Sequence, residues 1–103
     1  MGRRPATGDE VLEKPEIKTA KPRLYNVILH NDDYTTMEFV VEVLETVFQK
    51  SPAEAYRVMM QVHLEGRGVA GIYPWEVAET KAEAAISLAR GAGFPLKAVT
   101  EEA

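Results

Sequence analysis

His30, Asn31, Asp32 and Asp33 stand in an unbroken row, and a second histidine, His63, follows two apolar stretches later. Adjacent carboxylates, an amide and imidazoles suit three kinds of chemistry: metal binding, acid/base work, or the capture of a cation. The plainer reading is a polar loop whose Asp and Asn side chains satisfy nearby backbone donors. Calcium fits poorly. Asn31, Asp33, Thr35 and Glu42 fall at loop positions 1, 3, 5 and 12 of an EF-hand, but position 6 is Thr36 where glycine is needed. An apolar helical pattern also begins by Met37, inside that loop. A zinc hydrolase needs three protein ligands, and only His30, Asp33 and His63 are candidates. His30 is expected on the opposite face from Asn31, which breaks the set. No serine sits in a nucleophile elbow, and no glycine-rich loop precedes a helix in phosphate-binding form.

Capture of a cation is the more coherent chemistry. An ammonium has three donors and no acceptor, so its site must supply acceptors and negative charge. Asn31 and Asp33 supply both, and His63 adds a neutral ring nitrogen if its helix packs over the loop. Leu29, Met37, Val40, Met59 and Val62 would line an apolar hole beside them. An ammonium next to a large apolar side chain is what a free peptide N-terminus with a bulky first residue presents. Ordinary core filling is the competing account of the methionines.

The elements that must hold these residues are legible from spacing. Leu24 to His30 is a short apolar run rich in strand formers, with Tyr25, Val27 and Leu29 on one face. If the strand persists, Asn31 continues that face. Thr35-Thr36-Met37-Glu38 reads as a capping box with Thr35 as N-cap. Met37, Val40, Val41, Leu44 and Phe48 then recur at helical spacing, and Glu38, Glu42, Glu45 and Gln49 form much of the wet face. Ser51-Pro52-Ala53-Glu54 is a second capping box, opening a helix that runs to about Glu65 with Gly66 just past its end. Its buried stripe is Ala55, Val58, Met59 and Val62, with His63 beside the last two. Gly68 to Tyr73 reads as a strand, weakened by its glycines. Pro74 suits N1 of a third helix, Trp75 to Arg90, ended by Gly91 and Gly93. Trp75 is expected to be partly buried. Leu96 to Val99 closes the order β-α-α-β-α-β, an α+β sandwich of two layers.

Around that body the composition excludes much. The chain has 103 residues, enough for one domain, with 12 basic against 16 acidic residues and a net charge of −4. An acidic balance argues against nucleic acid, whose binding needs a basic excess. The absence of cysteine excludes disulfides, thiolate zinc sites, iron–sulfur clusters and cysteine nucleophiles. No apolar run is long enough to span a bilayer and no secretory h-region is visible, so a soluble, cytoplasmic domain is expected. Residues 1–20 hold three prominent aliphatics after Met1 (Val11, Leu12 and Ile17), two prolines and balanced charges. Such a segment buries too little to offset its ordering entropy, and a disordered tail is expected there. The whole net charge then lies on residues 21–103.

Three segments of that body strongly resemble the ClpS family of bacterial Clp protease adaptors. They are Leu29-His30-Asn31-Asp32-Asp33-Tyr34-Thr35-Thr36-Met37-Glu38-Phe39-Val40, then Met59-Met60-Gln61-Val62-His63, then Glu76-Val77-Ala78-Glu79-Thr80-Lys81. The resemblance covers about residues 21–103 and implies three helices against a three-stranded antiparallel sheet. It implies a monomeric adaptor without catalysis, metal or cofactor. Such an adaptor binds proteins whose first residue is Leu, Phe, Tyr or Trp (N-degrons) and delivers them to the unfoldase ClpA for degradation by ClpP. By position, Asn31, Asp32, Asp33 and His63 would recognise the α-amino group. Leu29, Thr35, Met37, Val40, Met59, Val62 and Leu96 would wall the side-chain pocket. Glu76, Glu79 and Lys81 would dock on the ClpA N-terminal domain, although charges on a helix can equally form a solvated face. Three positions depart from the family pattern: Thr36 stands where proline is usual, Pro74 where threonine is usual, and His30 where an apolar residue is usual. The competing functions are a small metal-dependent hydrolase using His63 and Asp33, and an interaction module without a pocket.

Overall fold

The computed structural model describes residues 21–103. The expected tail, residues 1–20, lies outside the described residues. Six elements follow in the order read from the sequence: β1 (Leu24–His30), α1 (Met37–Thr46), α2 (Pro52–Glu65), β2 (Arg67–Pro74), α3 (Trp75–Ala92) and β3 (Lys97–Glu102). The strands form one antiparallel sheet in the order β2-β1-β3, so the first strand of the chain is the central one.

The three helices cover one face of this sheet. Val27 and Leu29 point into the core, with Tyr25 packed against it, as period-two alternation requires. The core is completed by Val40, Val43, Leu44, Val47 and Phe48 from α1 and its end, and by Ala55, Val58, Met59 and Val62 from α2. Val43 and Val47 join a stripe that spacing had drawn through Met37 and Val41. Met37 lies at the start of α1 and is 42% exposed, and Val41 is half-buried. From α3 the core takes only Ala78, Ala82, Ala85 and Ala89. A stripe of alanines lets this helix lie close along all three strands.

The other face of the sheet carries no helix, yet Ile28 there is 1% exposed. Arg67 of β2 stands level with His30, and Glu101 of β3 with Asn26. Their 2.8 Å ion pair therefore runs diagonally across β1, over the position of Ile28. A slip in register between Val27 and Ile28 leaves Ala70 as an extra residue in β2. Beside it, a Cβ on Gly71 would collide with the Tyr73 hydroxyl oxygen and sit 2.6 Å from its ring. Glycine lets Tyr73 fold back along its own strand, where its ring centroid lies 6.4 Å from that of Phe48.

Several boundaries differ from the sequence reading, each for a local reason. The N-cap of α1 is Thr36, whose hydroxyl accepts from Phe39 N–H at 3.1 Å. Thr35 is drawn away by its bonds to Asp32. Ser51 caps α2 as expected, with its hydroxyl accepting from Glu54 N–H, and Gly66 ends it at φ 90°. Pro74 is the N-cap of α3 and not its first helical residue, and it offers no side-chain acceptor. Gly91 lies inside α3, and Gly93 alone, at φ 85°, ends it. β2 and β3 are both longer than expected because each finds a full-length partner in β1.

Candidate functional site

The polar cluster begins where β1 ends. Asn31 N–H donates to Gly66 O at 2.9 Å, which ties the loop to the C-terminal end of α2. Asp32 then folds the loop over itself. Its Oδ1 accepts from Tyr34 N–H at 2.8 Å and Thr35 N–H at 2.7 Å, and its Oδ2 accepts from the Thr35 hydroxyl at 2.7 Å. This is an Asx turn of the kind that acidic side chains favour ahead of a helix. Burial pushes the Asp32 carboxyl up. The bonds from Thr35 and Tyr34 outweigh it and hold the group below its ordinary value.

The turn and the two helices enclose a cavity of about 550 Å³, within the range of small-molecule and peptide sites. Asn31, Asp32, Asp33 and His63 all line it, so the four polar residues are brought together across a long separation in sequence. Asn31, Asp33 and His63 are exposed, and their side chains make no hydrogen bond or ion pair with another described residue. Their acceptors are therefore free for a ligand, whereas those of Asp32 are largely engaged. The apolar wall is Met37, Val40, Met59 and Val62. The last three are nearly inaccessible, so the wall is continuous with the core, while Met37 stands half-open at the mouth. Thr35 lines the cavity too. Leu29 and Leu96 are buried in the core and do not line it. Tyr34, Thr36 and Glu38 also line the cavity, although the sequence reading did not name them as pocket residues; their place in or just after the same turn was the available signal.

His30 does not line the cavity. Among the described residues no group of three or more His, Asp or Glu side chains could hold a metal ion. The hydrolase reading built on His63 and Asp33 thus lacks its third ligand.

The third segment lies away from this cavity, on α3. Glu76 is exposed in the first turn, and with Val77, Thr80 and Lys81 it lines a shallow hollow of about 400 Å³. Glu79 faces elsewhere, accepting from the Thr100 hydroxyl at 3.0 Å. Lys81 Nζ donates to Val47 O and to Gln49 Oε1, both at 2.7 Å, and stands 5.4 Å from the centre of the Tyr73 ring. Glu79 and Lys81 are both half-buried. A solvated face, the plainer account of these charges, is therefore corrected: each has a partner in the fold. Trp75 is 50% exposed and meets Tyr25 edge-on, with ring centroids 5.1 Å apart.

No helix among the described residues is long and apolar enough to cross a membrane. Residues 20–99 match the family model of the ATP-dependent Clp protease adaptor protein ClpS. Among curated relatives, the ATP-dependent Clp protease adapter protein ClpS of Desulfatibacillum aliphaticivorans is 59% identical over 89% of this chain and 88% of its own length. That of Wolinella succinogenes is 57% identical over 86% and 87%. Among solved structures, Agrobacterium tumefaciens ClpS2 bound to L-phenylalaninamide is similar with a TM-score of 0.77 and 47% identity. That likeness covers 81% of this chain and all of the other.

Proposed function

Since the chain belongs to the ClpS family of Clp protease adaptors, we propose that it captures proteins by a free N-terminal Leu, Phe, Tyr or Trp and delivers them to the unfoldase ClpA in the cytoplasm. One observation carries this reading. A single cavity joins unpartnered acceptors, from Asn31, Asp33 and His63, to the apolar wall of Met37, Val40, Met59 and Val62. An N-terminal residue is an ammonium and a side chain on one carbon, and the cavity offers a complement to each half. L-Phenylalaninamide, the ligand of the Agrobacterium relative, has the same two halves. Asn31, Asp33 and His63 accept from the ammonium. Asp32 shapes the loop that presents them and adds its charge. Leu29 and Leu96 support the wall from the core, and Thr35 lines the pocket beside it. Glu76 and Lys81, with Glu79 behind them, form the docking face for the ClpA N-terminal domain.

N-Acetylation tests the core of this reading, because it removes the ammonium and leaves the side chain intact. Acceptors left unpaired in the site, one of them a carboxylate, cost about 3 kcal/mol. A Phe-starting peptide should therefore bind about 100-fold more weakly once acetylated, read by fluorescence anisotropy. Equal affinity of the free and blocked forms would overturn the reading. A chelator should have no effect on binding.

A further inference from the structure

A second hollow, of about 400 Å³, adjoins the site and is lined by Met37, Glu38, Val41, Tyr56 and Met59. Met37, Glu38 and Met59 line both hollows, so the two share a wall. The second is apolar apart from Glu38 and the Tyr56 hydroxyl. Tyr56 lies three residues before Met59 on α2, and Val41 lies four residues after Met37 on α1, so each extends that shared wall away from the polar turn. Tyr56 is 58% exposed and Met37 42%, which leaves a large aromatic and a thioether open to water around one hollow.

We infer that this hollow receives the side chain of the substrate's second residue and favours a bulky apolar one. The inference rests on the first residue occupying the cavity described above. The α-amino acceptors Asn31, Asp33 and His63 line only that cavity, so the chain must start there and run outward. Successive Cα atoms are about 3.8 Å apart, and side chains of an extended segment point to opposite sides. A first side chain on one side of Met37 therefore leaves the second on the other side, toward Tyr56 and Val41. Walls whose only polar groups are the Glu38 carboxylate and the Tyr56 hydroxyl reward an apolar side chain more than a polar one. Glycine at the second position leaves the hollow wet.

The test compares two labelled peptides, identical except that one begins Phe-Leu and the other Phe-Gly, on the full chain and on Tyr56→Ala. Tyr56 lines only the second hollow, and alanine is well tolerated on an exposed helix face. The unmodified protein should bind Phe-Leu about 3- to 10-fold more tightly than Phe-Gly. In Tyr56→Ala that ratio should fall below about 2, with Phe-Gly affinity unchanged. Equal affinities in the unmodified protein, or a ratio that survives in Tyr56→Ala, would overturn the inference and leave the first-residue reading standing. Failure of both peptides to bind the unmodified protein would instead overturn the first-residue reading itself.

Discussion

Met37 occupies the boundary between two environments. Its backbone opens α1 and its side chain stands at the cavity mouth, with Val40, Met59 and Val62 behind it. A side chain branched at Cβ carries its bulk close to the backbone, where a narrow mouth rejects it. Met37→Ala should therefore admit peptides starting with Ile or Val, seen as a gain of at least several-fold in anisotropy affinity while Phe-starting peptides still bind. No gain would make Met37 packing alone. Asp32 carries a second expectation at this scale. Its folded carboxyl lies below the ordinary value because three local donors prefer it ionised. A lowered carboxyl contributes stability at pH above its unfolded value, and that contribution is lost as pH falls through the folded value. The Asx turn should thus be intact at neutral pH and weaken below about pH 4. Asp32→Asn should cost about 1 kcal/mol at pH 7, discounted for its partial exposure. Urea denaturation should show the difference shrinking toward zero in acid. A gap that persists at low pH would assign the loss to shape and not to charge.

At the level of elements, the helices are held by side chains whose types look like surface decoration. Lys81 of α3 reaches the carbonyl of Val47, at the end of α1, and the side chain of Gln49. Gln49 itself is at φ 51°, a left-handed conformation that lets the chain leave α1. Lys81 is thus a cap for α1 supplied by another helix, and α1 carries Met37 and Val40 of the cavity wall. Lys81→Met should lower stability by about 1 kcal/mol in urea denaturation as well as weakening capture by ClpA. Glu76→Gln should weaken capture without moving the midpoint. An unmoved midpoint in Lys81→Met would leave the lysine a docking charge only.

Taken as a whole molecule, the body completes both its core and its candidate site between residues 24 and 98. Every residue lining the main cavity lies between Asn31 and His63. Deleting residues 1–18 should therefore leave peptide affinity and thermal stability unchanged. Delivery is a separate step, in which an unfoldase must grip a segment of chain. The truncated protein should bind peptide and ClpA yet fail to speed degradation of a Phe-starting substrate by ClpA and ClpP. Equal stimulation by the full and truncated forms would show that docking alone drives transfer.

The amino-acid sequence by itself determined the element order and both ends of α2, because these rest on local chemistry. Ser51, Pro52 and Gly66 act on their own backbone, and the spacing of Val58, Met59 and Val62 needs no partner to be read. Residue chemistry and motif resemblance both point to Asn31, Asp33 and His63, and the fold brings the three to one cavity. Only tertiary structure decided the rest. Thr36 caps α1 because Asp32 takes Thr35, a competition between two adjacent hydroxyls that spacing cannot rank. β3 runs to Glu102 because β1 is there to pair with it. Lys81 and Glu79 are structural as well as charged because Val47 and Thr100 happen to approach them from other elements. Local preferences are written residue by residue, whereas pairing and enclosure depend on which distant surfaces meet.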